Sequence, residues 1–154
     1  MKKRYVNTFI FSELVDAVLL IEKKRPAHQV GRLNGIGGKI ESGESERHAA
    51  VREIREECGL SFEPHELVRV CRVTSEHSIV TFFAAFTVHE NVHQAKTLTD
   101  EQVMLTPCDS IATLPLYRIM PNLRWQIPMA LMARENGSDG RRHQFEIIME
   151  NLSL

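Results

Sequence analysis

The chain has 154 residues, 43% of them hydrophobic and 25% charged, with a formal net charge of −1. That length suits a single domain, 1–154, with its own buried core, and the near-zero charge removes the electrostatic case for a nucleic-acid duplex or an anionic membrane as partner. A polyanionic ligand would have to be met locally, by a few basic side chains or by a metal.

Residues 4–11 and 14–21 are rich in Val, Ile, Phe and Leu and predict two strands separated at Ser12-Glu13. The basic start does not lead into an apolar run of signal-peptide type, because Asn7, Ser12, Glu13 and Asp16 interrupt it. Residues 23–43 carry five glycines and one proline and predict a long ordered loop. Glu44 to Cys58 contains no Gly or Pro and predicts a helix with an acidic first turn and Gly59 as its stop. Residues 67–74 and 78–88 predict a hairpin, 89–100 a polar connection, and 102–107 a further strand. Pro121 opens a second helix, Asn122 to Arg134, which either kinks at Pro128 or starts later. A turn at Asn136–Gly140 and a short strand, Phe145 to Met149, complete an α/β layered domain. Cys58, Cys71 and Cys108 form no C-x-x-C pair, which disfavours a disulfide framework or structural zinc and suits a reducing cytoplasm. No apolar stretch approaches the roughly 20 residues that span a bilayer. The seven histidines are expected to be structural or surface residues.

On the first helix, at about 100° per residue, Glu53, Glu56 and Glu57 share one face, while Ala50, Ile54 and Cys58 lie beside it and can pack on a sheet. Three crowded carboxylates repel, and either basic neighbours or a bound cation would relieve them. A solvated, salt-bridged helix face is the bland alternative. The flanks argue against it: Gly37-Gly38 lies just upstream, where backbone can approach a phosphate or offer a carbonyl to a metal, and Lys39 follows. The full span reads Gly38, five residues, Glu44, seven residues, Arg52-Glu53-Ile54, one residue, Glu56-Glu57, one residue, Gly59-Leu60. Such a pattern arises by chance about once in a hundred million starting points or less.

This run resembles the signature of the Nudix hydrolases at every fixed position. The resemblance implies an α/β/α sandwich around a central mixed sheet. It also implies a Mg²⁺-dependent enzyme, with Mn²⁺ as a substitute, that cleaves a nucleoside diphosphate linkage. By position, Glu53, Glu56 and Glu57 would be metal ligands, helped by a carbonyl of Gly37 or Gly38. Arg52 would orient the carboxylates, and Glu44 would be mainly structural. The general base would be Glu56, Glu57 or a glutamate outside the run, for which Glu101 in Thr99-Asp100-Glu101-Gln102 is the candidate.

The flanking loop Asn34-Gly35-Ile36-Gly37-Gly38-Lys39 and the segment from Met120 to Pro128 resemble those of MutT-like oxidised-purine nucleoside triphosphate diphosphatases, with Asn34 and Asn122 on the base. Those relatives can carry an Asp pair where this chain has Asn122 and Leu123, so recognition through a protonated Asp is not expected here. Trp125, Phe82 and Phe83 are candidates to stack on the base, and Lys23, Lys24, Arg25 and Lys39 to meet phosphates. The expected activity is hydrolysis of a (deoxy)nucleoside triphosphate, of the 8-oxo-dGTP kind, to monophosphate and pyrophosphate, by a monomer or homodimer. The alternatives are an ADP-ribose or dinucleoside polyphosphate pyrophosphatase, and a nucleotide-sensing domain without turnover.

Overall fold

The computed structural model describes residues 1–136 and 145–149. In chain order the strands and helices are β1 (Lys3–Ser12), β2 (Ala17–Glu22), β3 (Leu33–Asn34), α1 (Glu46–Cys58), β4 (Val68–Thr74), β5 (Ser78–Thr87), α2 (His89–His93), β6 (Gln102–Pro107), α3 (Leu123–Asn136) and β7 (Phe145–Ile148). The sheet runs β3-β2-β1-β5-β4-β7, with β6 paired along β2. β1/β5 and β4/β7 are parallel and the other pairs antiparallel, so the sheet is mixed.

Side chains alternate along these strands, and each face of the sheet takes its own helix. Phe9, Phe11, Val18, Leu20, Phe82 and Ala84 form one core with Leu123, Ile127 and Ala130 of α3. Val6, Ile10, Leu19, Ile21, Phe83 and Ala85 form the other with Ala49, Ala50, Ile54 and Cys58 of α1. This is the expected α/β/α sandwich. Truncating a fully buried residue such as Ile54 to Ala would cost about 2–5 kcal/mol.

Several boundaries differ from expectation for local reasons. The first reversal takes Glu13–Asp16, with Val15 left-handed (φ 59) and its N–H donating to the Ser12 carbonyl at 2.9 Å, so Leu14 and Val15 lie in a turn despite being apolar. Helix α1 starts at Glu46 because Ser45 is its cap, the hydroxyl accepting from His48 N–H, and Glu44 stays outside the helix. The stretch 89–100 contains α2, anchored by Val92 at 2% exposure. Helix α3 starts at Leu123 and continues through Pro128 to Asn136. The rest of the turn expected at 136–140 lies outside the described residues. Among the described residues no helix is long and apolar enough to cross a membrane.

The Gly-rich loop is held by β1 as if it were a strand. Thr8 and Ile36 exchange backbone hydrogen bonds (2.6 and 3.0 Å), Val6 N–H donates to the Gly38 carbonyl (2.9 Å), and Ile40 N–H to the Arg4 carbonyl (3.0 Å). A Cβ on Gly37 would lie 2.1 Å from the Val6 carbonyl oxygen. Glycine is therefore required for this approach, which brings the loop against α1.

Candidate active site

The carboxylates of α1 meet that loop. Glu57 is 9% exposed, and its Oε2 accepts from Gly37 N–H at 3.1 Å. Glu53 lies against Gly38, where an added Cβ would come within 2.4–2.7 Å of its three carboxylate atoms. Glu56 projects outward, with a side chain 57% exposed.

Arg52 organises this group. Its Nε donates to Glu44 Oε1 (2.9 Å), and its Nη2 to Glu44 Oε2 (3.0 Å) and the Lys39 carbonyl (3.1 Å). Its Nη1 donates to Glu53 Oε1 (2.7 Å) and Glu56 Oε2 (3.1 Å). All five N–H donors of the guanidinium are thus engaged, and its proton is held more tightly than usual, first by the Glu44 hydrogen bonds. Glu44 also accepts from Glu41 N–H at 3.1 Å, which pins the loop before the helix.

A second cation lies on the other side. Lys23 Nζ is 2.6 Å from Glu101 Oε2, and Glu101 Oε1 accepts from Lys24 N–H at 2.9 Å. Glu101, 5% exposed, therefore has both oxygens engaged, and Lys23 faces acids. Burial raises the Glu57 carboxyl to about 7, with Glu53 and Glu101 adding to the rise while Lys23 and the Gly37 N–H oppose it. Burial also pushes Glu53 upward, against the pull of Arg52. Lys39 is exposed and Arg25 pairs with Asp100 at 2.7 Å. Lys24 lies 3.7 Å from Glu22.

Among the described residues, no three His, Cys, Asp or Glu side chains converge as a ready-made metal cage. Glu56 is drawn out toward Arg52, while Glu53 and Glu57 close on the loop. The donor set nevertheless fits a hard dication. Mg²⁺ needs only a few carboxylate oxygens besides water and phosphate, and Glu53 and Glu57 are two crowded acids that burial leaves short of positive charge. The Gly38 carbonyl, already accepting from Val6 N–H, keeps a second lone pair.

The base-side candidates sort differently. Asn34 Oδ1 accepts from Gly35 N–H (2.9 Å) and from Asn7 Nδ2 (3.3 Å), and its Nδ2 faces Gln29 Oε1 at 3.5 Å. Leu33 pairs with the 118–120 segment through hydrogen bonds to Arg118 and Met120, so Asn122 follows directly from a segment tied beside Asn34. Asn122 Nδ2 donates to Gln126 Oε1, and the fully buried Gln126 reaches Cys71 Sγ at 4.0 Å.

Phe83 requires a correction. It is 2% exposed in the core on the α1 face, with the Arg47 guanidinium 5.5 Å from its ring centroid, so it offers no open ring face for a base to stack on. Phe82 points to the α3 face and stacks on Phe9 at 6.1 Å, and Trp125 is 38% exposed on α3.

Two residues on this side escape sequence reasoning. Asn7 is 9% exposed, in register with Phe82 and thence Cys71, and its Oδ1 is buried without a hydrogen-bond partner among the described residues. Gln126 is the other. The available signal was a polar residue at an apolar position, Asn7 between Val6 and Phe9 and Gln126 beside Leu123 and Ile127.

The NUDIX domain family model matches residues 1–123. An 8-oxo-dGTP diphosphatase of Escherichia coli (strain K12) is 34% identical over 61 residues, which cover 40% of this chain and only 47% of that enzyme. A CTP pyrophosphohydrolase of the same organism is 30% identical over 116 residues, covering 70% of this chain and 84% of that one. A solved MutT structure, from work on the Aliivibrio salmonicida and Vibrio cholerae proteins, shares the fold with a TM-score of 0.67 at 20% identity, covering 86% of this chain and 99% of that one. The glutamate-bearing helix closed on a glycine loop is thus part of a relationship that extends over most of the chain, which belongs to the Nudix family of hydrolases.

Proposed function

We propose that the protein hydrolyses a nucleoside triphosphate to the monophosphate and pyrophosphate. The observation that carries this reading is the closure of Glu53 and Glu57 on the Gly37–Gly38 loop, with Arg52 using every donor to hold the neighbouring acids in place. A divalent cation, Mg²⁺ with Mn²⁺ as a substitute, held by Glu53, Glu56, Glu57 and the Gly38 carbonyl, would neutralise phosphate charge and lower the pKa of attacking water.

The chain's own groups account for the remaining steps. Glu57 is one group placed to take the water's proton; its carboxyl, raised to about 7 by burial with no metal beside it, would fall once the cation binds. Glu101 is the alternative base, and its engagement with Lys23 and Lys24 N–H supports a positioning role for it instead. Lys39 is exposed beside the loop and is the cation we assign to substrate phosphate. Lys23 donates to Glu101 and, with three N–H donors on its ammonium, would be able to meet a phosphate while keeping that partner.

The base would be read by Asn34 and Asn122, with Asn7 and Gln126 behind them. Amides donate and accept without titrating, so they can match either a purine or a pyrimidine edge. The matched relatives named for 8-oxo-dGTP and CTP support a triphosphate and leave the base to experiment. The test is a panel of canonical and oxidised nucleoside triphosphates, ADP-ribose and dinucleoside polyphosphates with Mg²⁺, products being identified by ³¹P NMR. Pyrophosphate release from a triphosphate supports the proposal. Turnover confined to ADP-ribose or dinucleotides, or none at all, refutes it.

A further inference from the structure

Helix α2 takes no part in the site described above. Its sequence is His89-Glu90-Asn91-Val92-His93, a His-Glu-x-x-His run that contradicts the expectation that the histidines carry no metal-type spacing and are only structural or surface residues. Spacing of i, i+4 places both imidazoles on one helix face. Val92 faces the core, and Asn91 Nδ2 donates to Thr87 Oγ1 at 2.8 Å, which fixes the rotation of the short helix. The two rings then meet edge to face, with centroids 4.5 Å apart and the two Nε2 atoms only 2.9 Å apart.

Behind His89 lies a carboxylate. His89 Nδ1 is shielded from solvent and has no hydrogen-bond partner among the described residues, and Asp16 Oδ2 is 3.9 Å from it. Asp16 is itself held, its Oδ1 accepting from the hydroxyl of the fully buried Ser12. A carboxylate facing Nδ1 favours the tautomer with its proton there and leaves Nε2 a lone pair. That is the tautomer of a metal ligand.

We propose that His89 and His93 chelate a transition-metal dication of the zinc, nickel or copper class through their Nε2 atoms, with Asp16 orienting His89 from behind. Two nitrogens 2.9 Å apart, each about 2.0–2.1 Å from an ion, subtend roughly a right angle at it, and a small ring rotation opens this toward tetrahedral. No third His, Cys, Asp or Glu side chain converges among the described residues, so water completes the coordination and the site stays open. Imidazole prefers these ions to Mg²⁺, whereas the Glu53, Glu56 and Glu57 centre is made of hard oxygens. The two sites are therefore separable by ion as well as by place.

The experiment is calorimetric titration of the full chain with Zn²⁺ or Ni²⁺ while excess Mg²⁺ occupies the carboxylate centre, with imidazole ¹⁵N signals followed by NMR. One-to-one binding that perturbs both rings is expected, weakened about tenfold or more in His93→Ala and about tenfold in Asp16→Asn, and unchanged in Glu56→Gln. His93 is exposed, so its variant keeps the fold even if His89→Ala does not, and circular dichroism checks this. Equal Zn²⁺ affinity in His93→Ala would place the ion elsewhere and overturn the proposal. So would an absence of binding together with ring signals reporting only an N–H···N hydrogen bond.

Discussion

Replacing Glu57 with Gln should stabilise the metal-free protein while removing its activity. The carboxyl is raised from an ordinary 4.5 to about 7, chiefly by burial. The folded state therefore holds this proton more tightly than the unfolded state. Its contribution to stability is fully present below 4.5 and is lost as pH rises through about 7. Over that interval the loss amounts to about 3 kcal/mol. Gln has nearly the same shape, keeps an oxygen for the Gly37 N–H, and carries no charge to desolvate. Lys23 retains Glu101 as its partner. Urea unfolding with a chelator present should find the variant about 3 kcal/mol more stable than wild type at pH 8, and the two nearly equal at pH 4.5. Adding Mg²⁺ should stabilise wild type and leave the variant unmoved, and kcat should fall by roughly a hundredfold or more. A variant no more stable than wild type at pH 8, or one with wild-type turnover, would refute the view that Glu57 is held at a cost to stability for the chemistry.

Three further outcomes test neighbouring parts of the site. Gly38→Ala should keep its circular dichroism spectrum but lose at least about tenfold in kcat and need more Mg²⁺ for half-maximal rate, because the new Cβ meets the carboxylate of Glu53 at 2.4 Å and displaces it; unchanged metal dependence would remove Glu53 from the site. Arg52→Lys should lower thermal stability by about 2 kcal/mol and kcat by about tenfold, since an ammonium cannot serve Glu44, Glu53, Glu56 and the Lys39 carbonyl together; a full rescue by Lys would show that charge alone suffices. Asn122→Ala should change the ratio of kcat/KM between bases more than it changes kcat on the best substrate, and an unaltered ratio would mean that the base is read elsewhere.

The glutamate-bearing helix α1 is legible from sequence because its two requirements are local: carboxylates at i, i+3, i+4 and a glycine pair at a fixed distance upstream. Its start is misplaced by two residues because Glu44, which looks like a first-turn acid, instead lies outside the helix and accepts from Arg52, with Ser45 as the cap. Phe83 fails for a different reason. Adjacent residues of a strand point to opposite faces, and nothing in the Phe82-Phe83 pair says which face is covered by α1. The pairing of Lys23 with Glu101 joins residues 78 positions apart, through the antiparallel register of β2 with β6. That register is not visible in either segment alone. The carboxylate behind His89 is hidden in the same way, since Asp16 reaches it only after the turn between β1 and β2 closes.

The two halves of the candidate site are chemically opposite and share one wall. On the α1 side the groups are ionisable, and burial raises the proton affinity of Glu53 and Glu57. On the α3 side Asn7, Asn34, Asn122 and Gln126 are neutral amides whose hydrogen bonds do not depend on pH. The loop between them is only a few residues long: Gly35 N–H donates to Asn34, Gly37 N–H donates to Glu57, and the Gly38 carbonyl accepts from Val6, next to Asn7. Backbone here carries contacts to both sides at once. A shift of β1 against the loop would therefore move the amides and the carboxylates together, and Gly37, where any Cβ would lie 2.1 Å from the Val6 carbonyl oxygen, permits the close approach that sets the spacing between the two groups.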